Sequence, residues 1–227
     1  MSVSNVDKIQ LQIMYLFMNV DGICGEKEYE RFEAICDELK ASREDKKEIM
    51  EFAKKIEFDQ NGDNSEVVIN AIGTLLGYIQ DNKSNVEQES DAGNRDLLTA
   101  LQSFCAATSQ LTQNLEKSLW SRFINKSRVK QAHTIWTLIN LGYADNMLTS
   151  SERRVINYLI SVWEVDKTLS GALYDTAETM VALQMKKDWI LSTDKAEDEK
   201  NILCSDIDTE IKKMFAYVEL TIAEASI

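Results

Sequence analysis

Proline is absent from all 227 residues, and glycine occurs only eight times. Average usage would place about 11 prolines in a chain of this length. Proline is excluded from helix interiors because it lacks the backbone N–H and its ring clashes with the preceding turn; glycine there costs backbone entropy. A chain so poor in breakers favours long helices. Its aliphatic residues recur at spacings of three and four rather than two, which is the helical period. The fold class expected is all-α.

Taken in order, a first helix is expected over 7–20, with Ile9, Ile13, Leu16 and Val20 on one stripe. A second carries Phe32, Ile35, Cys36 and Leu39, and a third, capped by Ser42, carries Ile49, Phe52 and Ile56. The stretch 59–65 imitates the start of a calcium loop, but Asn64 stands where that loop needs Gly and Asn70 where it needs Glu. A polar turn ending in Ser65 as N-cap is therefore expected. A fourth helix over 66–80 holds Gly73 and Gly77, which read as a small-residue face for a close helix crossing. The overwhelmingly polar stretch 81–94 reads as a link, and a fifth helix follows with Leu97, Leu101 and Phe104. Later helices end near Tyr143, carry Ile156, Leu159 and Trp163, and run from an Asp166 cap to about Met185. After an acidic break over 193–200, a terminal helix places Ile207, Ile211, Met214 and Val218 on one seam. The organisation expected is a first half over 1–80, the link over 81–94, a second half over 95–195, and a terminal helix over 196–227 packed on the second half.

Two short stretches organise this string of helices. Asp21-Gly22-Ile23-Cys24-Gly25-Glu26-Lys27-Glu28 returns 124 residues later as Asp145-Asn146-Met147-Leu148-Thr149-Ser150-Ser151-Glu152. Each lies between two amphipathic segments, so each is a helix–loop–helix elbow. The same shift places Phe17 on Leu141, Val20 on Ala144, Phe32 on Ile156, Ile35 on Leu159 and Leu39 on Trp163. Apolar over apolar on both sides of an elbow is the pattern of a duplicated unit. A helical bundle built from two pseudo-repeated helix–loop–helix units is expected, each unit covering the other's apolar face.

Asp21, Glu28, Asp145 and Glu152 admit two roles. Thr149 and Glu152 have the spacing of a capping box, Gly25 and Glu28 have half of one, and both aspartates can accept loop amides. The same four carboxylates are also the oxygen ligands that hard divalent cations prefer. Phe17 fills the first-ligand position of a helix–loop–helix calcium loop, so a standard calcium site is excluded. If a cation is held, the first elbow should hold it more tightly. It carries Asp21, Glu26, Glu28 and Glu30 against Lys27, whereas Asp145 and Glu152 are offset by Arg153 and Arg154.

A net charge of −13 argues against nucleic acid and against insertion at an anionic membrane, and it suits a basic protein partner. No apolar run has the length of a membrane span, and the amino terminus shows no signal-peptide pattern. Four scattered cysteines and a single histidine, His133, fit a reduced cytoplasmic protein without a zinc site. No phosphate-binding glycine loop or nucleophile elbow occurs, so no enzyme is expected.

Phe17-Met18-Asn19-Val20-Asp21-Gly22, five further positions, Glu28 and then an amphipathic helix together resemble the signature of the tellurite-resistance protein B (TerB)-like domains. The resemblance covers about 9–58 and 131–185, and departs from the family at Asn146, where glycine is usual, and in the longer separation of the two elbows. It describes a divergent, extended member. It implies an all-helical module of two halves, acidic elbow residues that hold a divalent cation (Ca²⁺, Mg²⁺ or Mn²⁺), and an accessory role in bacterial stress-response or phage-defence systems. The alternative is a metal-independent scaffold or oligomerisation protein, a homodimer being one form of it.

Overall fold

The computed structural model describes residues 3–22, 24–60, 62–77 and 127–225. Among them are eight helices and no strand: α1 (Asn5–Phe17), α2 (Glu26–Glu38), α3 (Arg43–Ala53), α4 (Ser65–Leu76), α5 (Arg128–Gly142), α6 (Ser150–Val162), α7 (Lys167–Ser192) and α8 (Glu197–Glu224). The all-α expectation holds for these residues. The link over 81–94 and the helix expected after it lie outside the described residues.

Helix α1 is the hub. It packs against α2, α3, α4 and α5, so burial extends around its circumference rather than along one stripe. Leu11, Ile13, Leu16 and Phe17 are fully buried, and Gln10, Gln12 and Met14 nearly so, whereas Ile9 is only partly covered. A helix enclosed on several sides needs partners for its polar groups. Gln10 finds one across the bundle, its Nε2 donating to Thr134 Oγ1 of α5 at 2.8 Å. The helix ends at Phe17, three residues before the expected end, and Val20 is buried from the loop.

Caps fix where the following helices begin. The Ser42 hydroxyl accepts from the Asp45 amide, and Asp45 Oδ2 accepts in return from the Ser42 amide at 3.0 Å. Asp45 also meets Lys8 Nζ at 3.1 Å, which ties α3 to α1. Burial alone would raise the Asp45 carboxyl, but the bonds from Ser42, Lys8 and Val3 hold it at about 2.

Helix bounds and backbone signs recur at the spacing of the elbows. Helix α6 starts and ends 124 residues after α2, and α7 starts 124 after α3. Gly22 (φ 81°) and Asn146 (φ 72°) are both left-handed, as are Lys40 (φ 57°) and Glu164 (φ 52°). The last two close matching helix ends, with Ala41 N–H donating to Cys36 O at 2.8 Å and Val165 N–H to Ile160 O at 3.0 Å.

Residues 3–77 and 127–225 share one core. Phe17, Phe32, Ile49 and Ile72 join Ile135, Leu138, Ile156 and Leu159 in a single cluster. Helix α8 lies along α7 and reaches α5, with Val218 and Ile222 entering that core and Phe215 meeting the Trp136 ring edge-on at 6.0 Å. A second, small cluster of Ile190, Cys204 and Ile207 holds the far end of the α7–α8 hairpin. No described helix is long and apolar enough to cross a membrane.

Three local expectations are corrected. Helix α4 ends at Leu76, and Gly77 is its left-handed C-cap (φ 79°) rather than part of a packing face. Ser65 is the first residue of α4, with Asn64 as N-cap and the Asp63 carboxylate accepting from the Ser65 amide at 2.9 Å. Helix α7 continues past Met185 to Ser192, and the break before α8 shrinks to 193–196.

Candidate functional site

The elbows build themselves from local bonds. In the second, Thr149 Oγ1 accepts from the Glu152 amide at 3.2 Å and Glu152 Oε2 accepts from the Thr149 amide at 2.6 Å, a complete capping box. In the first, Gly25 has no side chain to offer. Only the return bond exists, Glu28 Oε2 accepting from the Gly25 amide at 2.7 Å. Asp145 is exposed, and its Oδ1 accepts from the Met147 amide at 3.1 Å, an Asx-turn. Asp21 is half-buried in the middle of the loop between α1 and α2.

Folding then places the two glutamates where solvent barely reaches. Glu28 is 9% exposed and Glu152 only 3%. The tip of the Phe17 ring and the Leu148 side chain crowd Gly142, and Glu152 Oε1 lies beside the same glycine. Burial raises the Glu28 carboxyl to about 7 against the opposing Gly25 hydrogen bond, and the charges of Glu152, Asp21 and Asp145 add to the rise. Burial likewise raises Glu152 to about 7 against the bonds from Thr149, and Asp21 and Asp145 add to it. Acids from both elbows therefore act on one another at one junction. The Cys24 thiol at its rim is pushed up to about 11, first by desolvation and then by Glu28 and Asp21, which makes it a poor nucleophile at neutral pH.

As candidate ligands, the four acids supply the right donors in kind: only oxygens, with excess negative charge. In arrangement they are incomplete. One oxygen of each glutamate is already engaged in its cap, and among the described residues no three His, Cys, Asp or Glu side chains form a group that could hold a metal ion. His133 stands apart on α5, 3.7 Å from Glu219.

The sequence reading missed a clamp on the first elbow. Buried Asn64 donates its backbone N–H to the Val20 carbonyl at 2.7 Å, and its side-chain amide bonds Asn19 O, Asp59 O and Gly62 O. Its Oδ1 accepts from the Asp59 amide at 2.8 Å. Asp63 accepts from the Ser151 side chain and faces Arg154 at 3.4 Å, which joins the clamp to α6. The only sequence signal was an Asn where a calcium loop would carry Gly.

This clamp makes Gly22 irreplaceable. A Cβ there would fall 2.5 Å from Asp59 O and 2.8 Å from the Gln60 carbonyl carbon, both backbone atoms, at a left-handed φ. Gly22→Ala is expected to lower stability by about 2–4 kcal/mol from strain and overlap, whereas Asn146→Gly stays within about 1 kcal/mol. Urea denaturation of the two variants checks the contrast, and equal losses would contradict it.

The chain matches no family model, no curated protein and no solved structure.

Proposed function

We propose that the chain is a non-enzymatic, TerB-like helical module whose two duplicated elbows form one acidic junction that takes up a divalent cation, serving a bacterial stress-response or phage-defence system through protein partners. The observation that carries the reading is that Glu28 and Glu152, equivalent residues of the two elbows, are both buried and both bear the field of Asp21 and Asp145. The matched helix bounds and the paired left-handed residues support the duplication. Asp21, Glu28, Asp145 and Glu152 would hold the ion, and its contribution would be to neutralise charge and brace the two halves. Asp21 is placed to matter more than Asp145, because it belongs to the more acidic elbow.

A second reading is a metal-independent scaffold. What favours it is that the capping bonds already account for both glutamates and that no ready-made group of ligands is present among the described residues.

Calorimetric titration of Ca²⁺, Mg²⁺ and Mn²⁺ at pH 8 separates the two. The expected result is binding by the wild type, weakened several-fold by Asp21→Asn and less by Asp145→Asn. Absence of binding at millimolar metal would leave the scaffold.

A further inference from the structure

We draw no further inference here: the strongest candidate, the surface patch that Met185 and Trp189 expose one turn apart near the end of α7, is an apolar face, and nothing in the structure shows what covers it.

Discussion

Replacing Glu28 and Glu152 together by glutamine should stabilise the protein at pH 8 by several kcal/mol and change little at pH 4. Each carboxyl titrates near 7 in the folded chain, above its ordinary 4.5. Between those values the folded state holds protons that the unfolded state has released, so stability falls as pH rises through the window. The stabilisation is fully present below about 4.5 and lost above about 7. A shift of that size corresponds to about 3 kcal/mol for one such glutamate. Glutamine keeps the capping bond, since its side-chain carbonyl accepts as the carboxylate does, and it carries no charge. Asp45 does not confuse the test, because with its carboxyl at about 2 it is ionised in the folded state across the whole window. Urea midpoints of wild type and double variant at the two pH values measure the effect. A double variant less stable than wild type at pH 8, in metal-free buffer, would mean that the two charges are already compensated within the chain.

Phe17→Ala should cost about 3–5 kcal/mol, the range for deleting a buried aromatic ring and leaving a cavity. Phe17 closes α1, is fully buried, and its ring tip rests against Gly142 at the end of α5. The void would open beside Glu152, where α1 meets the end of α5. Phe17→Leu, which refills most of the volume, should recover the greater part. Denaturant unfolding of the two variants checks both, and a loss below about 1 kcal/mol for alanine would mean that this junction relaxes freely.

Helices were legible in the sequence because their signals are local. Ser42, Thr149 and Asp166 cap their own backbones within three residues, and the 124-residue echo recurs in helix bounds and in the signs of φ. What depended on distant residues was not legible. The helix capped by Asp166 was expected to end near Met185, but Lys187 pairs with Asp208 at 2.6 Å and Ile190 packs with Cys204 and Ile207 across the hairpin. Gly77 looked like a packing residue because no local pattern separates a small residue on a helix face from one that ends the helix. The four elbow acids were named from spacing. Their mutual field was not, because it depends on how α1, α5 and the two loops meet, and burial of the glutamates set its size.

Thermal unfolding at pH 8, with and without millimolar Ca²⁺, of the wild type and of the Glu28→Gln, Glu152→Gln double variant tests the acidic junction most directly. A cation held by these acids binds the folded state only and raises its midpoint by mass action. The account predicts a midpoint that rises with Ca²⁺ in the wild type and stays fixed in the double variant. An unmoved wild type, or an equal rise in both proteins, would contradict it.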